Sequence, residues 1–250
     1  MIEELKNNKR LKVYLTLGLI LMFSFSIVIG VVSNNFYSSY YKYIKDNNNY
    51  CGLDFPVMAD KPVIYLYPES DTEVSVELGL REIDKLSTTY PEYNERWVVT
   101  AKPNGVLTDK NTGRSHEYLF YEAEIHSIPG ITEGFVVKGS ESLEFLERVL
   151  NEYGLTEKEA NDFIIYWLPY LEKNEYNLIS FQNKWFDNIV DLRVEPKPDN
   201  VNRLFMVYES IEKPFEIEEP KIVPFERDGF TVVEWGGMRL DSAKVGENNE

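Results

Sequence analysis

The stretch SLEFLERVLNEYGLTEKEANDFIIYWLP, residues 142–169, decides how this chain reads. Here the apolar side chains leave the two-residue period of a strand and take up the spacing of a helix, twice in succession. Leu143, Leu146, Leu150 and Tyr153 share one face of a first helix, which Ser140 or Ser142 can cap and Gly154 stops. Thr156-x-x-Glu159 then opens a second helix as a capping box, each side chain satisfying the other residue's free backbone N–H. Ala160, Phe163, Ile164, Trp167 and Leu168 follow as a stripe for burial, and Pro169 ends it.

Strand patterns flank this helical pair. Val63–Tyr67 is a short apolar run between Pro62 and Pro68. Val74, Val76, Leu78 and Leu80 alternate with polar residues, as do Trp97, Val99 and Ala101. Pro103-Asn104-Gly105 supplies turn chemistry, and a second turn over 109–113 leads into a strand over 117–125. Beyond the helices, strands are expected near 177–181, 189–194, 204–209 and 230–235. Asp199 should start a turn, and Arg203 should meet a buried acid. The pattern predicts one α+β domain over residues 60–241, a mainly antiparallel β-sheet with a central helical pair.

Upstream, residues 13–32 read VYLTLGLILMFSFSIVIGVV, without one charged side chain. At ~1.5 Å per residue a helix of that length spans roughly 30 Å, the thickness of a bilayer's hydrocarbon core. Lys6, Lys9, Arg10 and Lys12 precede it, and the nearest cations after it are Lys42 and Lys45. The positive-inside rule then predicts a cytoplasmic N-terminus over 1–12, a transmembrane helix over 13–33 preceding the domain, and an exported remainder. That remainder is a polar, tyrosine-rich stalk over 34–59, the α+β domain, and a tail over 242–250 without apolar period. The competing reading is a cleaved signal peptide, with Val31-x-Ser33 as its cleavage site, although its apolar core would exceed the usual length of about 7–15 residues.

The net charge of −16 excludes some partners. Residues 1–12 carry four cations against Glu3 and Glu4, so the rest of the chain is more acidic still. Such a surface is repelled by nucleic acid and by anionic lipid headgroups. One cysteine, Cys51, rules out an internal disulfide framework, so stability must come from a buried core. The chain has no Asn-x-Ser/Thr sequon.

Five phrases occur in order: Lys61-Pro-Val-Ile-Tyr-Leu-Tyr-Pro68, Tyr118-Leu-Phe-Tyr-Glu122, Gly134-Phe-Val-Val137, Asn161-Asp-Phe-Ile-Ile-Tyr-Trp-Leu-Pro169 and Gly229-Phe-Thr-Val-Val-Glu-Trp-Gly-Gly237. As a set they resemble an uncharacterised bacterial domain family found in exported, membrane-anchored or wall-anchored proteins. The resemblance covers about residues 61–237 and implies location and domain extent, with no activity attached. Where that family has a Gly before Trp97 and a Trp at position 121, this chain has Arg96 and Tyr121.

The sharpest candidate site is Glu234-Trp235-Gly236-Gly237, at the end of an apolar strand. A carboxylate beside an indole suits sugar recognition, and the glycines permit close approach of a ligand or of another strand. The competing reading packs Trp235 in the core and pairs Glu234 with Arg227 or Arg239. Glu122, Glu124 and His126 share one face of their strand and could bind a metal or pass a proton. Asp109, Asn111 and Thr112 resemble the start of a calcium loop, but the glycine comes one position early and the distal Glu is missing, so a hairpin loop is expected. There is no Gly-rich phosphate loop, no G-x-S-x-G elbow and no H-E-x-x-H pair, and no cofactor is expected. The expectation is an extracytoplasmic domain, held at the membrane through residues 13–33, that binds an envelope glycan or protein or supports an envelope assembly, without doing chemistry, and has no nucleic-acid partner. Its binding residues would be Glu234, Trp235, Gly236, Gly237 and Glu122. The rival is a glycan- or peptidoglycan-directed hydrolase using Glu234 and Glu122 as a carboxylate pair, which needs the two carboxyls about 5–5.5 Å or 6.5–9.5 Å apart.

Overall fold

The computed structural model describes residues 51–240. The segments 1–12 and 13–33, most of the 34–59 stalk and the tail from 242 lie outside the described residues. Twelve strands are described: β1 (Cys51–Tyr67), β2 (Thr72–Leu80), β3 (Lys85–Tyr90), β4 (Trp97–Ala101), β5 (Leu107–Asp109), β6 (Ser115–His116), β7 (Leu119–Ile128), β8 (Phe135–Lys138), β9 (Tyr176–Phe181), β10 (Val190–Glu195), β11 (Asn200–Ile211) and β12 (Thr231–Arg239). Between them come α1 (Ser142–Glu152), α2 (Glu157–Leu171) and α3 (Asn183–Ile189). A seven-stranded sheet runs β3-β7-β1-β12-β11-β9-β8, and a five-stranded sheet runs β10-β2-β4-β5-β6.

This corrects the expected fold class. The described residues are mainly β and divide between two sheets, whereas an α+β domain with one sheet around a helical pair was expected. No helix among them is long and apolar enough to cross a membrane, so the transmembrane helix expected ahead of the domain has no counterpart there. The expected stalk also shortens, because residues 51–59 already belong to β1. The division into two sheets is not legible because the patterns at β2, β4 and β10 report strands without saying which sheet each joins, and β5 and β6, with three and two residues, are too short to show a period.

Burial explains the layering. Val63–Leu66 of β1, Phe205–Tyr208 of β11 and Val232–Met238 of β12 are buried without interruption. Continuous burial means that both faces of the large sheet are covered at these central strands. One face meets α1 and α2 through Tyr65, Leu204, Met206, Val233 and Trp235, which pack with Phe145, Leu146, Val149, Phe163 and Trp167. The other face carries Ile64, Phe205 and Glu234 and is covered by α3, whose Phe186 ring stacks 3.9 Å from that of Phe205. The small sheet buries only alternate residues, Val74, Val76 and Leu78 on β2, and so has one apolar face. Contacts between the small and the large sheet include the following two. Tyr90 on β3 touches His116 on β6 at 5.0 Å, and Arg203 on β11 donates to the Val190 carbonyl on β10 at 2.8 Å.

The helical pair follows its sequence signals closely, with two differences. Thr156 and Glu159 form the expected capping box. Gly154 takes φ 77°, and the bonds Leu155 N–H to Leu150 C=O (3.0 Å) and Gly154 N–H to Asn151 C=O (2.9 Å) close a Schellman motif. Neither Ser140 nor Ser142 caps α1, which is entered through a 3-10 turn over Gly139–Glu141. Phe145, Leu146, Val149 and Leu150 form its buried face, leaving Leu143 exposed. β11 and β12 pair in parallel, the exception in sheets otherwise antiparallel, and residues 212–230 make the crossover.

Candidate functional site

β12 places the expected site inside the protein. Neighbours on a strand face opposite ways, so Glu234 and Trp235 lie on different faces of the large sheet. Trp235 is fully buried on the helical side, its ring 5.2 Å from Phe163. Gly236 has no room for a ligand, because a Cβ there would come 3.0 Å from Pro62 of β1. A Cβ on Gly237 would strike the Met206 carbonyl oxygen and come 2.8 Å from the Trp167 ring. The two glycines therefore admit neighbouring strands and Trp167.

Glu234 is 1% exposed and carries a buried polar network. Tyr121 donates its hydroxyl to Glu234 Oε1 at 2.6 Å, and Arg203 Nε donates to Oε2 at 2.5 Å. Arg203 also donates from Nη1 to Asp187 at 2.8 Å, with its guanidinium 4.8 Å above the Phe186 ring. Burial works against the Arg203 charge, but Glu234, Tyr121 and Asp187 more than offset it and hold the guanidinium firmly protonated. Burial, and then the Glu234 charge, push the Tyr121 hydroxyl well above the usual tyrosine range. This is a structural ion pair, in which Arg203 Nη2 alone has no hydrogen-bond partner, and it supplies the buried acid expected for Arg203. The arginines proposed for Glu234 go elsewhere in one case: Arg227 pairs with Glu159.

Glu122 faces the other way. Tyr121 reaches Glu234, so its neighbour Glu122 emerges on the helical face of the sheet. The two carboxyls are therefore separated by the sheet and cannot flank one glycosidic bond. Glu122, Glu124 and His126 do share a face, but Glu124 pairs with Lys85 at 3.0 Å and His126 Nδ1 lies 3.4 Å from Asp84. Among the described residues no group of three or more His, Cys, Asp or Glu is placed to hold a metal ion. The calcium-like loop is a hairpin turn, in which Asp109 Oδ1 accepts the Asn111 N–H at 2.6 Å.

A different feature has the properties of a site. β1 breaks register against both neighbours at one point, between Asp60 and Val63 against β12 and between Ala59 and Val63 against β7. Lys61 sits in this bulge with φ 57°, a left-handed conformation that costs a residue with a Cβ about 1–2 kcal/mol. Its ammonium lies 4.9 Å from the Phe120 ring centre, 5.4 Å from Tyr118 and 5.9 Å from Tyr166. No carboxylate among the described residues forms an ion pair with it. Lys61 lines a cleft of about 450 Å³ together with Tyr118, Asp162, Tyr166, Tyr170 and Lys173. Asp162 is already engaged, accepting from Tyr65 at 3.0 Å and from Lys158 at 3.3 Å.

Two acids stand close by. Burial, and then the charge of Glu122, push Asp60 up to about 6. Burial, followed by the charge of Asp60, also keeps the Tyr166 hydroxyl well above the tyrosine range, so it remains a donor. Of the residues expected at a site, Glu122 belongs to this neighbourhood and Gly237 borders it through its pairing with Asp60. The signal that could have found it is Lys61-Pro62 at the head of an apolar central strand. A proline without an N–H there demands a bulge, and a lysine in the bulge must point somewhere useful.

No protein-family model and no solved structure matches this chain. It is similar to the "Uncharacterized protein in bglA 3′region" of Butyrivibrio fibrisolvens, 43% identical over 67 residues, which is 26% of this chain. The match spans 66% of that protein's length.

Proposed function

We propose that this is a non-catalytic binding domain acting at the outer face of a bacterial membrane, held there through residues 13–33, with its ligand seated in the cleft around Lys61. The observation that carries the reading is a cation caged by three rings, without a carboxylate partner among the described residues, in a cleft of about 450 Å³. That volume falls within the range of about 300–1,000 Å³ in which proteins hold small ligands. The backbone conformation at Lys61 adds weight, because strained positions are retained where they serve a site. Four of the five phrases that resemble exported bacterial domains bring residues to this neighbourhood: Lys61, Tyr118 with Glu122, Asp162 with Tyr166, and Gly237 paired with Asp60. The relative that the chain resembles is a bacterial protein. The rival hydrolase loses its carboxylate pair to the sheet that separates them.

The test uses the full-length chain with purified peptidoglycan and wall polysaccharide. Retention on one of them, lost in Lys61→Met and Tyr166→Ala, is the expected result. Release of shortened products over time would overturn the non-catalytic reading, and recovery of the intact chain from the soluble fraction of cells would overturn the placement.

A further inference from the structure

The chemistry of the cleft narrows its ligand. Lys61 is held by ring faces, and an ammonium stabilised this way still has its donors available for an incoming anion. A second lysine, Lys173, lies just past the end of α2 with its ammonium 5.5 Å from the Tyr170 ring centre. Tyr170 is 43% exposed and Ile165 is 66% exposed, so part of an aromatic ring and an aliphatic edge reach solvent beside the two cations. Tyr166 lies one helical turn before Tyr170, with their ring centres 5.8 Å apart. Exposed tyrosine faces accept the C–H face of a pyranose, and the hydroxyls of Tyr118 and Tyr166 and the carboxylate of Asp162 match its hydroxyls.

Peptide recognition fits less well. The cleft lies over β1 and α2, while the edges of the large sheet are β3 and β8, so an extended peptide could not add as a strand there. A phosphate dianion is also poorly matched. The lining has no arginine, and Asp60 and Glu122 bring negative charge close behind. A single negative charge on an otherwise neutral, hydroxylated ring is what this arrangement serves.

We infer that the cleft takes an acidic saccharide, a pyranose bearing a carboxylate, with the carboxylate on Lys61 Nζ and the sugar face against Tyr170. This rests on the cleft being the binding site proposed above. In a protein of net charge −16 the long-range field repels such a ligand, so its selection comes from contact with Lys61.

Calorimetric titration of the full-length chain with tri-galacturonic acid and with its neutral methyl ester tests this. The acid should bind about ten-fold tighter than the ester or better, as expected for a charge-assisted contact. Lys61→Met should abolish that preference, and Tyr170→Ala should weaken acid and ester alike while keeping their ratio. Because Tyr170 is at the surface, the second variant reads the cleft even if the first disturbs the bulge. Equal affinity for acid and ester overturns the inference and leaves the binding function standing. A hexaglutamate peptide or inorganic phosphate bound as tightly as the acid overturns the saccharide. If neither sugar binds but purified envelope material does, the inference alone falls; if nothing binds, both fall.

Discussion

Asp60 has an ordinary carboxyl value near 3.8 when unfolded and about 6 in the fold, because burial and then Glu122 disfavour its charge. The folded protein thus binds this proton more tightly. The stability it contributes is complete below pH 3.8 and is lost as pH rises through about 6. Asp60→Asn should therefore match the wild type in urea unfolding near pH 4 and exceed it at pH 7.5 by about 1–2 kcal/mol, since solvent reaching the pair screens part of the effect. Lys61 offers a second residue-scale test. Lys61→Gly removes the left-handed penalty and adds freedom to the unfolded chain, so stability should stay within about 1 kcal/mol while retention on envelope material disappears. Neither residue was legible as a site. Sequence periodicity reports which face of a strand is buried, and a bulge is the place where that rule lapses.

Among the elements, the helical pair was the most readable part of the chain. Its signals are local: a capping box spans four residues and a helix stripe repeats within two turns. β3 and β8 were not readable. β3 is largely exposed, and β8 has four residues, so neither shows a sustained apolar alternation. The crossover over 212–230 is polar and irregular, and only the fold shows what holds it. Arg227 donates to Glu159, the fully buried glutamate of the capping box, and to the Gly154 carbonyl at 3.1 Å. One carboxylate thus closes the start of α2 and ties down the crossover. Arg227→Ala leaves that carboxylate buried without its cation, at a cost of about 3 kcal/mol in denaturant unfolding. Limited proteolysis should then cut first within residues 212–229.

For the molecule as a whole, the buried network on β12 is a structural joint. It links Tyr121 of β7, Glu234 of β12 and Arg203 of β11, and through Arg203 it reaches Asp187 of α3 and the first residue of β10. Large sheet, small sheet and α3 all meet there. Glu234→Gln should cost about 3 kcal/mol, with tryptophan fluorescence and far-ultraviolet dichroism still falling together in one transition. An acid next to a tryptophan looked like a ligand platform because sequence places them side by side, whereas a strand sends them to opposite faces. The pairing of Arg203 with Glu234 spans 31 residues and follows from a parallel register that no local pattern encodes. The order of the strands has one more consequence, for biosynthesis. β12 comes last along the described chain yet lies between β1 and β11, near the middle of the large sheet. A nascent polypeptide that has released everything through β11 still holds two half-sheets with facing open seams. Until Thr231–Arg239 clears the ribosome, those seams can recruit strands from other chains. A premature stop ahead of Thr231 would then yield a sticky precursor in need of chaperones, and no smaller working version of the protein.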